Sequence, residues 1–397
     1  MPIVPSRRRA LLGALGTCLV PVWARAADKP PFTIGLTAEF SVQGSHSAQS
    51  IEKGILLAID EINAAGGVAG RPLALETRDD RGVPTRGVDN FRDFAARPDV
   101  VAVFCGRFSP VALEIAPLAS QLGLPLLNPW AAADGITRAQ GGLPNYAFRL
   151  SLTDSWAIET MLEYARSGGA RHVALFVPNT AWGRSSEAAL LAYAARKPGL
   201  RHDTFWYNWG DTDFSDRLAQ ARAKGAQALL TVTNEYEGLP ILKQMAALPK
   251  EQRLPIVSHW GLLGGDLGTT ASETLQALDF SVVHTFSFSD RQTPKARAVA
   301  DALQRRFGID ALALRAQVGF AHAYDLTHLL ALALKKTGSS GRTGLRNALE
   351  HLEPHEGLVT RYERPFTPAR HEALGPHLVR MARYDRVGHL KSVAGRK

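Results

Sequence analysis

Short apolar runs of strand length alternate with helix-length segments along most of the chain, and this alternation restricts the fold more than any other feature. Phe32–Thr37 reads as a buried strand. Ile51, Ile55, Leu56, Ala58, Ile59 and Ile62 then recur at helical spacing, and Gly66-Gly67 stops that helix. Pro72–Thr77 predicts a second strand and Arg86–Ala96 a second helix. Val100–Phe104, Pro110–Gln121 and Leu124–Leu127 continue the rhythm. It restarts at His172–Val177, with helix Ser185–Arg196, strand His202–Tyr207, helix Phe214–Ala223, strand Ala228–Val232 and helix Leu239–Ala247. Parallel neighbours need a crossover long enough for a helix, so the pattern predicts α/β units with doubly wound parallel sheets. Two such units are expected, the first ending near Arg149. Long helices follow at Pro294–Phe307 and Ala316–Lys335, and residues 357–393 read as short strands and loops. A chain of 397 residues has room for two or three domains.

The N-terminus reads as an export signal spanning residues 1–26. Arg7-Arg8-Arg9 precedes a short apolar run, and Ala24-Arg25-Ala26 supplies a small-residue cleavage site. Arg8-Arg9 followed by Ala10-Leu11-Leu12 resembles the twin-arginine pattern. A lipoprotein would need Cys18 as its acylated residue, and Thr17 before it fits that poorly. The expected compartment is the periplasm. The formal charge of +9 is partly this segment: beyond residue 26 the chain keeps 42 basic and 37 acidic residues with no basic run. That argues against nucleic acid as a partner. No later apolar run is long enough to cross a bilayer. Of two cysteines only Cys105 would remain after cleavage, so no internal disulfide is expected, and Cys105 reads as a buried small hydrophobe.

Catalytic and metal signatures are missing. None of the twelve histidines forms His-Glu-x-x-His or a Cys–His ligand spacing. His351 and His355 are four apart, but Pro354 spoils a shared helical face. His371-Glu372 and His377 fall in a Pro/Gly-containing stretch. No nucleophile elbow or phosphate-binding loop is present, and Gly141-Gly142 precedes no suitable helix. No enzyme activity, cofactor or metal is expected.

One stretch is more specific. Lys53–Leu73, with Asp60-Glu61-Ile62-Asn63 and Gly66-Gly67-Val68-Ala69-Gly70-Arg71-Pro72 at its core, closely resembles the first helix and turn of periplasmic solute-binding proteins of the branched-chain amino-acid type. Asp79-Asp80, Gly106–Ser109, Ala116-Pro117, Gly123-Leu124-Pro125, Phe148-Arg149 with Asp154, Ala181-Trp182-Gly183, Asp213-Phe214 and Ala323-Tyr324-Asp325 extend the likeness over nearly the whole mature chain. The resemblance implies two doubly wound lobes joined by a three-crossing hinge, with crossings near Arg149, Thr285 and Leu358. Lobe 1 would comprise residues 27–149 and 286–357, and lobe 2 residues 150–285 and 358–397. It implies a monomer that captures a small molecule between closing lobes and delivers it to an ABC permease. A soluble ligand sensor of the same fold is the alternative.

The resemblance also implies a pocket. Ser109 matches the serine that holds the ligand carboxylate, at a strand end where a helix N-terminus favours an anion. The next contact stretch is Asn128-Pro129-Trp130-Ala131-Ala132, where the family's threonine falls on Ala132 and Trp130 replaces a small residue. From lobe 2, one family tyrosine falls on Trp182 and another on Asn234. The glutamate that pairs with the ligand ammonium falls on Trp260, with Glu235 as a possible substitute. Arg107 would add positive charge for an acid. The pocket is therefore expected to be bulkier and more aromatic than one for leucine, suited to an amino-acid-like, aromatic or carboxylated compound. Trp156, Trp206 and Trp209 read as core or surface aromatics. Glu39 and Asp325 are open between ligand contact and structural hydrogen bonding.

Overall fold

A computed structural model describes residues 1–2, 29–138, 141–290 and 292–394. Most of the expected export signal, Cys18 included, lies outside the described residues. The strands are β1 (Phe32–Ala38), β2 (Leu73–Asp79), β3 (Val100–Cys105), β4 (Leu126–Asn128), β5 (Ala147–Arg149), β6 (His172–Pro178), β7 (Arg201–Tyr207), β8 (Ala228–Thr231), β9 (Ile256–Ser258), β10 (Phe280–His284), β11 (His355–Glu356), β12 (Arg361–Tyr362), β13 (Arg380–Tyr384) and β14 (Leu390–Val393). The helices are α1 (Ser47–Ala64), α2 (Pro84–Ala95), α3 (Ser109–Leu122), α4 (Asp154–Ser167), α5 (Ala181–Arg196), α6 (Ser215–Ala223), α7 (Glu235–Ala247), α8 (Leu267–Thr270), α9 (Ser272–Ala277), α10 (Pro294–Phe307), α11 (Gln317–Thr337) and α12 (Arg342–Leu349).

The first sheet runs β2-β1-β3-β4-β5, all parallel. The second runs β14-β13-β10-β9-β8-β6-β7; its parallel part has the same winding, and the antiparallel β13–β14 pair extends one edge. Two doubly wound α/β units therefore stand as expected. The central strands explain why they sit inside: every residue of β1, β3 and β6 is buried, the pattern of strands covered by helices on both faces. In each sheet the winding reverses direction beside the strand that starts it, between β1 and β3 and between β6 and β8.

The chain passes between the sheets after β5 and again after β10, since α11 packs along α1 on the first unit. The segment around Leu358, where a third crossing was expected, packs on the first unit. Leu358 and Val359 donate backbone N–H groups to Asp325 on α11, at 2.7 and 2.9 Å, and His371 O accepts from Arg149 N at 2.8 Å. Residues 358–373 thus lie against the first unit, and β13 is the first element after them to join the second sheet. Asp325, fully buried, also accepts the Tyr362 hydroxyl at 2.6 Å, so its role is structural.

Helix starts moved for local reasons. α5 begins at Ala181 because Thr180 caps it, its hydroxyl accepting from Gly183 N at 3.4 Å. A Cβ on Gly183 would sit 1.9 Å from Pro178 O, so this turn can press against the end of β6 only as glycine. α7 begins at Glu235 rather than Leu239, with Glu235 and Glu237 in the first turn where the helix dipole favours acids.

Candidate functional site

The carboxyl ends of the parallel strands in the two sheets face each other. In open α/β sheets the crevice for a ligand opens where the winding reverses. Here there are two such points: the turns after β1 and β3 from one unit, and those after β6 and β8 from the other. Between them lies a cavity of roughly 10 Å³, about the room for one water molecule. Of the residues expected to meet a ligand, Arg107, Ser109, Trp130, Ala132, Trp182, Asn234 and Trp260 line it. Phe108 and Gly261 line it too and were not among the expected contacts. Ala131 does not: it is fully buried in the first unit's core. Glu235 does not line it either; it borders a larger cavity at the rim of the same cleft.

Ser109 opens α3, and its Oγ accepts from the backbone N–H of Ala132 and of Ala133, both at 3.1 Å. Its own O–H proton is left to donate into the cavity. The Ala132 amide, expected as a ligand contact, is already engaged by this hydroxyl. The loop that carries it is fixed from behind. Asn128 accepts from Trp130 N at 3.0 Å and donates to Ala131 O at 2.7 Å. The fully buried Arg149 donates to the carbonyls of Ala132, Ala133 and Leu152 at 3.1, 2.7 and 3.2 Å.

Arg107 follows Gly106 at the end of β3 and is no surface charge. Both its terminal nitrogens donate to Glu235 at 2.7 Å, and Nη1 also donates to Gly261 O at 3.2 Å. Glu39, after β1, accepts the Arg107 backbone N–H at 3.3 Å and the Ser47 hydroxyl, and its Oε1 lies 3.7 Å from Arg107 Nε. Glu39 is thereby structural, a base for the arginine. Burial opposes the Arg107 charge, but Glu235 and then Glu39 outweigh it and raise its pKa. The packing is tight: a Cβ on Gly264 would fall 1.9 Å from Arg107 Nη1, and one on Gly106 2.2 Å from Glu39 Oε2. In this closed arrangement Arg107 and Glu235, each expected to meet part of a ligand, bind each other across the two units.

The aromatic wall is present and fills most of the space. Trp130 and Trp260 approach from opposite units with ring centroids 5.7 Å apart at 48°, and Trp260 lies 5.7 Å from His322. Trp182 donates its Nε1 to Asp154 at 3.0 Å and stands edge-on to His259 at 5.1 Å. Burial pushes His322 down to about 4, so it is neutral, donating from Nδ1 to Pro129 O and accepting from Thr285 at Nε2. The walls are as aromatic as expected, but with the units this close the pocket is small rather than bulky. Trp209 packs on Phe108 at 5.2 Å, and Trp156 and Trp206 are partly buried against the core. Cys105 is buried, which pushes its thiol up. Among the described residues no group of three or more His, Cys, Asp or Glu is placed to hold a metal ion, and no helix is long and apolar enough to cross a membrane.

A family model described as periplasmic binding protein matches residues 31–386. A curated relative, the Leu/Ile/Val-binding protein homolog 3 of Brucella melitensis biotype 1, is 24% identical over 339 residues, covering 82% of this chain and 85% of its own. A type 1 periplasmic binding protein from Bordetella pertussis Tohama I superposes with a TM-score of 0.80 at 20% identity, covering 91% of this chain and 100% of the other. The solute-binding protein of an ABC transporter from Rhodopseudomonas palustris BisB5, solved with 3,4-dihydroxybenzoic acid, superposes at 0.75 with 20% identity, covering 91% and 96%. With two like-wound units facing each other over a shared cleft, and a family match running from β1 to β13, the chain belongs to the periplasmic binding protein family.

Proposed function

We propose that this protein is the extracytoplasmic solute-binding component of an ABC importer, holding a small carboxylated organic compound between its two lobes. The observation that carries the reading is the position of the cavity, at the winding reversals of both sheets at once, where a ligand would be held by both lobes. Its family membership supports the same class of function, as do its likenesses to a Leu/Ile/Val-binding protein homolog and to a solute-binding protein solved with 3,4-dihydroxybenzoic acid. The protein works by binding and release rather than by chemistry on its ligand. In this reading Ser109 anchors the ligand acid, Trp130, Trp182 and Trp260 form its apolar walls, and Asn234 offers its amide. A cavity this small requires the lobes to part before anything larger than water enters. The hinge would comprise the crossings after β5, after β10 and between residues 374 and 380, which puts residues 358–373 with lobe 1. The N-terminal arginines and the Ala24-Arg25-Ala26 triplet support export to the periplasm, with Ala27 as the mature N-terminus and a monomer that docks on a permease.

Calorimetry with a panel of small carboxylates, followed by uptake of the tightest binder in cells with and without the protein, tests this. Stoichiometric binding and protein-dependent uptake are expected. Turnover of the ligand, or uptake that does not depend on the protein, would contradict it.

A further inference from the structure

We infer that the pocket selects a carboxylate without an ammonium group, and that Arg107 imposes this by occupying Glu235; the inference rests on the solute-binding reading above. An α-amino acid brings one positive and one negative group into a closing cleft. Each must find a partner there, because water is excluded and an unpaired buried charge is costly. The cavity provides for the two very unequally.

No carboxylate lines the cavity. The nearby acids serve other groups: Glu235 takes both terminal nitrogens of Arg107, and Glu39 takes the Arg107 amide and Ser47. Asp154 takes the Trp182 indole on Oδ1, with His259 Nε2 at 3.2 Å; its Oδ2 is unpartnered, but the residue does not line the cavity. Arg107 therefore stands where the cleft would otherwise offer Glu235 to an ammonium. It is an internal cation bonded to the acid that the sequence nominated for the ligand.

Donors, by contrast, are in supply. The Ser109 lone pairs face two amides, which leaves its proton for the cavity. Trp130 and Trp260, which line the same cavity, each carry an indole N–H. A buried positive charge lies behind them: Arg149 has no carboxylate within salt-bridge distance among the described residues, and it donates to the Ala132 carbonyl at 3.1 Å. That carbonyl belongs to the same peptide group as the Ala133 N–H that donates to Ser109. Polarisation runs along such a chain, from guanidinium through peptide to hydroxyl, and makes the hydroxyl a stronger donor to an anion.

Matched ligands that differ only in the ammonium test this on the mature protein: leucine against 4-methylpentanoate, and phenylalanine against 3-phenylpropanoate, by calorimetry. The deaminated member of each pair should bind at least tenfold more tightly. Arg107→Gln frees Glu235 and should narrow or reverse that ratio by at least tenfold, and adding Glu235→Gln should undo the change. If the single variant fails to fold, the wild-type ratio still decides. Wild-type binding of either amino acid as tight as its deaminated partner would overturn the inference. So would failure of every amine-free carboxylate to bind, or an unchanged ratio in folded Arg107→Gln. Tight binding of an uncharged solute would sink this inference and leave the solute-binding reading standing.

Discussion

Glu235→Gln should open the protein. The substitution keeps the size of the side chain and one acceptor, but it removes the charge that holds Arg107 from across the cleft. Two hydrogen bonds of 2.7 Å to a buried guanidinium are weakened or lost. Arg107 would keep Gly261 O at 3.2 Å and Glu39 at 3.7 Å. Removing one partner of a buried ion pair costs about 3–5 kcal/mol, because the other charge stays desolvated. Opening the lobes returns Arg107 to water, so the cost falls on the closed arrangement rather than on either lobe's core. At about 1.4 kcal/mol per tenfold, the closed-to-open ratio should drop by roughly 10² to a few times 10³. X-ray scattering on ligand-free protein reads this as a larger radius of gyration in the variant, with unchanged helical circular dichroism. Equal radii, with melting temperatures that also agree, would refute the assignment of this pair as the contact that closes the cleft.

Other outcomes follow from the same geometry. Ser109→Ala removes the one hydroxyl that can donate to a ligand acid, and should weaken carboxylate binding by about 1–3 kcal/mol in calorimetry. Gly264→Ala drives a methyl into the Arg107 guanidinium and should match Glu235→Gln in scattering. Burial, then the nearby Glu39 charge, raises Asp80 to about 7. The folded protein therefore prefers the protonated acid. The stability this gives is full below the ordinary value near 3.8 and is lost as pH rises through about 7, a change on the order of 4 kcal/mol. Denaturation of wild type and Asp80→Asn between pH 4 and pH 8 should show that slope only in the wild type. Asp325→Ala leaves two backbone N–H groups and the Tyr362 hydroxyl without their acceptor, and should cost about 3 kcal/mol or more in chemical denaturation.

The α/β organisation was legible because buried parallel strands such as β3 are apolar throughout and helices such as α1 carry a clear stripe. Short or edge elements were harder. β9 has three residues, and β13 and β14 enter by antiparallel pairing, which no local period announces. The cavity wall was legible wherever a strand end could be matched by resemblance, as at Ser109, Trp182 and Trp260. What the side chains do there was not. Arg107 and Glu235 are 128 positions apart, and nothing in either neighbourhood says that they meet. The Trp130–Trp260 contact is likewise a product of closure, and it is why Trp260→Glu would bury a charge among rings rather than simply restore a family carboxylate.

The most direct test is mass spectrometry of the small molecule released by denaturing protein purified from its native periplasm. One amine-free organic carboxylate per chain, absent from Ser109→Ala prepared in parallel, is the predicted result. An α-amino acid held at the same stoichiometry, or a polyol retained equally by the variant, would contradict it.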